Sequence, residues 1–393
     1  MKSKEKKDIL FLVTGGHITP ALSVIHELER RRYKRFVWVG RMKTMKSDER
    51  TSAEYRVIHD EKHIPFINSL TGKIIRFYSI PSFIEFLINI VKIIIGFFQS
   101  FILLIRLKPD MIISFGGYVP LPLVIVGSFL KIPSVTHEQT TVGGIANKII
   151  ARFSNKVLLS WPQSKKFFDL KKSILVGNPF RKEIFEVTTN SFSLNNKLKT
   201  LYITGGNQGA HVINKAVKPI IPNLLQNINI IHQTGATTIT NDYNSHKAIE
   251  KKLYGKSKGV YIVRDFIYGP AIGEAFSKAD FLISRSGANI CTEILALAKL
   301  AILIPIPWSI HNEQLKNAEM LAEIGIASII EENKLNSDML YKKIINVLEM
   351  IAKNVDFNDK LFHETIEKSK NMVHSNAQVK IVDEIETILN TSK

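Results

Sequence analysis

The chain has 393 residues and a mass of 44.5 kDa, with a hydrophobic fraction of 45% and a charged fraction of 22%. At about 150 residues per domain this makes room for about two or three domains with sizeable cores, and the composition excludes disorder over most of the length. The one cysteine, Cys291, excludes a disulfide framework and a thiolate metal site, while a net charge of +18 attracts polyanions: nucleic acid, an anionic bilayer or a phosphorylated substrate.

Behind a basic start, residues 9–13 form an apolar run too short for a signal peptide and predict a first buried strand. It ends in Thr14-Gly15-Gly16-His17, and a helical pattern follows from Pro20. Further strands are predicted at 36–39, 111–114, 134–137, 157–160 and 174–176. Residues 80–105 predict a long helix. Its interruptions, Ser82, Glu85, Asn89, Lys92, Gly96 and Gln99, recur every three or four residues and form one stripe among apolar residues. A spanning helix would set Glu85 and Lys92 in hydrocarbon, so the segment reads as amphipathic, part core and part membrane-surface patch. Lys73, Arg76, Arg106 and Lys108 flank it with the cations an anionic surface attracts.

The polar stretch 181–199 reads as a domain boundary. Beyond it the pattern starts again. A strand at 201–203 ends in Thr204-Gly205-Gly206-Asn207-Gln208-Gly209-Ala210 before another helix, and strands follow at 228–232, 260–263, 281–284, 301–304 and 327–330. The rest is helical and charged. A strand, a glycine loop and a helix open each half, which is how a doubly wound α/β domain begins.

Glycines at such a loop let backbone approach a ligand, and the following helix offers free N–H groups to an anion. His17 adds an imidazole at the mouth of the first loop, as a base or as a helix-capping side chain. The second loop is a backbone nest suited to a diphosphate, yet it lacks the Lys-Ser/Thr of a P-loop and the spacing of a dinucleotide fingerprint. Phe115-Gly116-Gly117-Tyr118, His137-Glu138-Gln139-Thr140 with Gly143-Gly144, and Ser284-Arg285-Ser286-Gly287-Ala288-Asn289 leading to Glu293 also fall at strand ends. Ligands bind there in open α/β sheets, so loops of this kind in both halves argue for a cleft.

These residues carry a resemblance. TGGHITPAL (14–22), FGGYVPLP (115–122), HEQTTVGGIANK (137–148), VGNPFR (176–181), GGNQGAHVIN (205–214), DFI (265–267), SRSGANICTE (284–293) and HNEQLKNA (311–318) occur in the order found in the MurG family, and the chain resembles that branch of glycosyltransferase family 28. The chain departs from the family pattern at Val13, Asn207 and Thr140, which replace the usual Gly, Ser and Asn.

The resemblance implies a GT-B fold: two Rossmann-like doubly wound domains facing across a cleft, an acceptor and membrane domain at 1–184 and a UDP-sugar domain at 185–373, with a final helix at about 374–393 packing back on the first. It implies an inverting transfer of N-acetylglucosamine from UDP-N-acetylglucosamine to the C4 hydroxyl of lipid I, giving lipid II for peptidoglycan synthesis on the cytoplasmic face of the membrane. The donor contacts it implies are Thr14, Gly15, Gly16, Thr140, Arg181, Asn207, Ile267 at uracil, Ala288, Asn289 and Ile290 under the phosphates, Glu293 at the ribose and Gln314 at the sugar. Tyr118, Gly116, Gly117, Gly143 and Gly144 would hold the acceptor. His17 is the expected general base, with Glu138 and His137 as rivals. No cofactor or metal is called for, since no acidic pair stands at a strand end, and Arg181 with helix N-termini would stabilise the leaving diphosphate. Expected partners are the two substrates, an anionic membrane surface and cell-wall or division machinery. A related lipid glycosyltransferase and a UDP-sugar epimerase remain alternatives. Nucleic acid is not expected despite the basic stretch 30–50, because no recognition helix or aromatic RNA motif accompanies it.

Overall fold

The computed structural model describes residues 5–43, 51–72, 80–206, 208–235, 237, 239–309, 312–355, 360–371 and 376–391. The chain forms two compact units, Met1–Phe180 with His374–Lys393, and Arg181–Val373.

The first unit runs β1 (Leu10–Thr14), α1 (Ile18–Arg30), β2 (Arg35–Gly40), the short α2 (Ala53–Tyr55), β3 (Phe66–Asn68), α3 (Ile80–Leu107), β4 (Met111–Ser114), α4 (Pro120–Phe129), β5 (Ser134–Glu138), α5 (Ile145–Phe153), β6 (Lys156–Leu159) and β7 (Ser173–Leu175). The strands pair in parallel as a 7-stranded sheet, β3-β2-β1-β4-β5-β6-β7. β1 is buried along its whole length, as a parallel strand covered on both faces must be. The order reverses between β1 and β4, and a crevice opens at the carboxyl ends of such a pair.

The second unit repeats this plan with β8 (Lys199–Thr204), α6 (His211–Val217), α7 (Ile221–Leu224), β9 (Ile228–Gln233), α8 (Asp242–Leu253), β10 (Tyr261–Arg264), α9 (Pro270–Lys278), β11 (Phe281–Ser284), α10 (Ala288–Leu297), β12 (Leu300–Leu303), α11 (Glu313–Glu323), β13 (Ala327–Ile329), α12 (Ser337–Val355) and α13 (Lys360–Asn371). Its 6-stranded parallel sheet is ordered β10-β9-β8-β11-β12-β13, with the reversal between β8 and β11. The last helix, α14 (Ala377–Thr391), returns to the first unit. There Ile381, Ile385 and Leu389 join the core of Phe11, Val24 and Leu28, and Arg31 reaches Asp383 at 2.7 Å and Glu386 at 2.8 Å.

Two expectations change. β3 was not predicted, because its two apolar residues, Phe66 and Ile67, are bounded by Pro65 and Asn68 and make no apolar run. The units divide between Phe180 and Arg181 rather than after residue 184, and the polar stretch that follows is a packed strap. Glu274 of α9 accepts from the amides of Ser191 and Phe192 at 2.6 and 3.0 Å and from the Thr189 hydroxyl at 2.8 Å, and the Phe192 side chain is buried.

The α3 helix has the wide apolar face its sequence predicts. Its polar stripe is divided: Glu85 is exposed, while Asn89, Lys92 and Gln99 are half-buried. Gln99 accepts from the Leu70 amide at 2.9 Å and donates to the Asn68 carbonyl at 2.8 Å. A Cβ on Gly96 would meet Thr71, and one on Gly72 would meet the Asn89 carbonyl, so strand extension and helix touch backbone to backbone. The inner face continues through buried Ser100 and Leu104 toward α4. The outer face is apolar: Ile84, Leu87, Val91, Ile94, Phe98 and Ile105 are all exposed, Phe98 by 67%. Phe83–Leu107 is long and apolar enough to cross a membrane by length and composition. Arg106 and Lys108 are exposed beside its end, while Lys73 and Arg76 lie outside the described residues.

Candidate functional site

In the first unit the two glycine loops meet at the carboxyl ends of β1 and β4. The Gly16 amide donates to the Gly116 carbonyl at 3.1 Å, and a Cβ on Gly15, at φ +148°, would overlap Phe115 Cβ at 2.7 Å. Only glycine permits that approach. Gly117 stands exposed beside Gly16, and Tyr118 follows, half-buried. Thr14 is fully buried, and its hydroxyl has no partner among the described residues.

His17 occupies the N-cap position of α1 but makes no side-chain cap bond. It is half-buried, and burial lowers its pKa below the ordinary histidine range. A neutral imidazole at neutral pH, with a nitrogen able to accept a proton, is what general-base chemistry needs.

The two rivals are engaged otherwise. His137 is buried, its Nε2 lies 2.9 Å from the Gly177 carbonyl and its Nδ1 lies 3.0 Å from Gln139 Nε2. That pattern assigns the proton to Nε2, with Nδ1 accepting from Gln139. Burial pushes its pKa down to about 4. Glu138 is buried, and its oxygens accept from the Thr140 amide (3.1 Å) and hydroxyl (2.8 Å), the Gly144 amide (3.2 Å) and Asn147 Nδ2 (2.9 Å). Four donors use up its acceptor positions, so it is a clamp that shapes the 138–147 loop. Thr140 and Gly144 serve that clamp, and Gly143 packs against Phe167 and Phe168.

In the second unit the crevice gathers at the ends of β8, β9 and β11. Arg181 Nε and Nη2 donate to the two oxygens of Glu293 at 2.8 and 3.0 Å, and Glu293 is 1% exposed. The resemblance implies separate ligands for these two residues; in the structure each occupies the other's binding groups. Ala288, Asn289 and Ile290 form the first turn of α10, whose amides have no intrahelical acceptor. The Gln314 side-chain oxygen accepts from the Ile306 amide at 3.1 Å, so that atom positions the loop. Ile267 donates its amide to Gln233 at 2.9 Å. Asn207 lies outside the described residues, as does His311.

Two glutamines were missed. Gln233 also donates to the Thr204 hydroxyl at 3.1 Å and the Gly206 carbonyl at 2.9 Å, and Gln139 donates to the Phe115 carbonyl at 3.3 Å. Each fastens the glycine loop beside it. Their signal was a buried amide at or just beyond the carboxyl end of an apolar strand.

Both glycosyltransferase family 28 domains match the chain, the N-terminal domain over residues 12–159 and the C-terminal domain over residues 200–374. Fold and loops therefore define a two-domain glycosyltransferase. The UDP-N-acetylglucosamine--N-acetylmuramyl-(pentapeptide) pyrophosphoryl-undecaprenol N-acetylglucosamine transferase of Natranaerobius thermophilus is 34% identical over 85% of this chain and 89% of its own length. The enzyme of the same name from Borreliella burgdorferi is 29% identical over 96% of each chain. The crystal structure of Acinetobacter baumannii MurG covers 96% of this chain and 99% of its own with a TM-score of 0.63 at 23% identity, and shares the fold. The chain belongs to this MurG family of N-acetylglucosamine transferases.

Proposed function

We propose that the chain transfers N-acetylglucosamine from UDP-N-acetylglucosamine to the C4 hydroxyl of the muramoyl sugar of lipid I, giving lipid II with inversion at the anomeric carbon. The relatives' names supply donor and acceptor; His17 is the observation that carries the chemistry. Its neutral imidazole takes the hydroxyl proton as the oxygen attacks the anomeric carbon, the bond to the UDP oxygen breaks, and the electron pair leaves with the diphosphate. Arg181 and the first turn of α10 stabilise that charge. Donor binding exchanges the Arg181–Glu293 bonds for diphosphate on Arg181 and ribose hydroxyls on Glu293. Ile267 meets uracil through its carbonyl, and Gln314 meets the sugar through its NH2 group. Gly15, Gly16, Gly116, Gly117 and Tyr118 receive the acceptor.

An acceptor with a long polyprenyl tail stays in the bilayer, so the enzyme works at the cytoplasmic face as a peripheral protein. The outward apolar face of α3 and the basic surface support this. The test is a transfer assay with UDP-N-acetylglucosamine and a lipid I analogue. A β-linked N-acetylglucosamine on the acceptor is expected. Epimerised sugar nucleotide from the donor alone, with no transfer, would overturn the reading.

A further inference from the structure

Arg41 follows directly after β2, at the same carboxyl edge of the sheet as the His17 loop, and no motif drew attention to it. Its backbone amide donates to Glu54 Oε2 at 3.1 Å and its Nη1 donates to the Thr71 carbonyl at 3.0 Å. The guanidinium lies over the Tyr118 ring, 5.7 Å from its centroid. The other Glu54 oxygen, Oε1, accepts from Trp38 Nε1 at 2.7 Å. Glu54 attracts the Arg41 charge at longer range, but among the described residues no carboxylate forms a direct ion pair with the Arg41 guanidinium. A half-buried guanidinium that spends one N–H on the Thr71 carbonyl keeps further donors in a planar fork, the geometry that phosphoryl oxygens match.

Its neighbours narrow the anion. Tyr118 ties it to the glycine loops. Thr71, which holds Nη1, packs on Gly96 of α3, so the cation stands beside the helix whose far face is apolar and exposed. A ligand that uses both features has a phosphorylated head and a long hydrocarbon tail.

We propose that Arg41 binds the diphosphate of the lipid-linked acceptor, holding it beside the His17 loop through a fork of N–H donors stacked on Tyr118. This rests on the transfer reaction proposed above and adds a residue to it. A free guanidinium would be drawn to any anionic headgroup, and the experiment separates these sources.

The probe is binding of the full chain to phosphatidylcholine vesicles doped with polyprenyl diphosphate, with polyprenyl monophosphate, or with phosphatidylglycerol alone. Arg41→Ala is expected to weaken binding to the diphosphate vesicles at least about tenfold while changing binding to phosphatidylglycerol vesicles less than about twofold, with donor affinity unchanged. Arg41→Lys, which keeps the charge and loses the fork, should recover only part of the loss and guards against misfolding of the alanine variant. Equal losses on diphosphate and phosphatidylglycerol vesicles would overturn the proposal, as would diphosphate binding within about twofold of the unchanged protein. Failure of the unchanged protein to transfer sugar would instead strike the proposed reaction, because the vesicle comparison stands without turnover.

Discussion

The crossover from the third strand to the fourth is built twice in this chain, with opposite outcomes. In the second unit it is α9, 9 residues from Pro270 to Lys278, with Ile272, Ala275 and Phe276 buried and the strap tied to Glu274. In the first unit it is α3, 28 residues from Ile80 to Leu107, with Gln99 bound to backbone and isoleucines and phenylalanines turned outward. Topology is shared; the outward face is not. A helix that spends its amides on its own domain and leaves leucine-class side chains facing out is built for contact with something other than water.

The comparison breaks first at catalysis. His17→Ala should cut turnover by about 10²–10⁴-fold while calorimetric donor affinity holds, because the imidazole sits in the first unit and the proposed donor groups in the second. The acid limb of kcat/KM should fall below pH 6.5, since burial lowers the His17 pKa. A loss of less than about tenfold would remove His17 from the role.

Next comes the ion pair of the second unit. Arg181→Ala leaves Glu293 buried without its guanidinium, at a cost of about 3 kcal/mol in chemical denaturation, and should weaken donor binding as well. Unaltered stability with weaker donor binding would mean the pair forms only loosely in solution.

The second unit also hides a chain of imidazoles. His232 Nε2 lies 3.0 Å from Asn214 Oδ1, and Tyr261 Oη lies 2.8 Å from Nδ1 of both His232 and His246. Burial lowers both histidines, His246 to about 4. Asp242 favours the charged form of His246 and Lys218 opposes it, but burial outweighs both. A depressed folded pKa means the unfolded chain binds more protons, so stability is full above about pH 6.5 and drains as pH falls toward 4. By pH 5 the loss should reach about 2 kcal/mol, read as a falling urea midpoint, and His246→Gln should flatten the slope.

The smallest effect on stability belongs to α3. Phe98→Glu with Phe101→Glu should leave stability within about 0.5 kcal/mol per site, since both side chains are exposed, yet reduce binding to anionic vesicles and its sensitivity to salt. Phe97 is half-buried and would confuse the experiment. Undiminished vesicle binding would return the helix to an ordinary surface.

Most strands were legible because parallel strands buried on both faces read as apolar runs. β3 was not, since Pro65 and Asn68 leave it only Phe66 and Ile67 as an apolar signal. The α3 stripe was visible as a period, but a period marks two faces without saying which one meets the protein, and here the outward face is largely apolar. Residue types at the site were readable, and their pairings were not. Arg181 and Glu293 are 112 residues apart in sequence and meet only in the fold, and Glu138 is saturated only because its own loop turns back on it.

The return of α14 has a consequence for synthesis on the ribosome. Core residues of β1 and α1 emerge early, yet Ile381, Ile385 and Leu389, which cover them, emerge only after the whole second unit. At about 5–20 residues per second the second unit can be translated, and fold, while the first still waits for its lid. During that interval the nascent amino-terminal half exposes two greasy surfaces, the uncovered sheet and the outer face of α3. It should depend on holding chaperones, or on early arrival at the bilayer, more than its finished counterpart does.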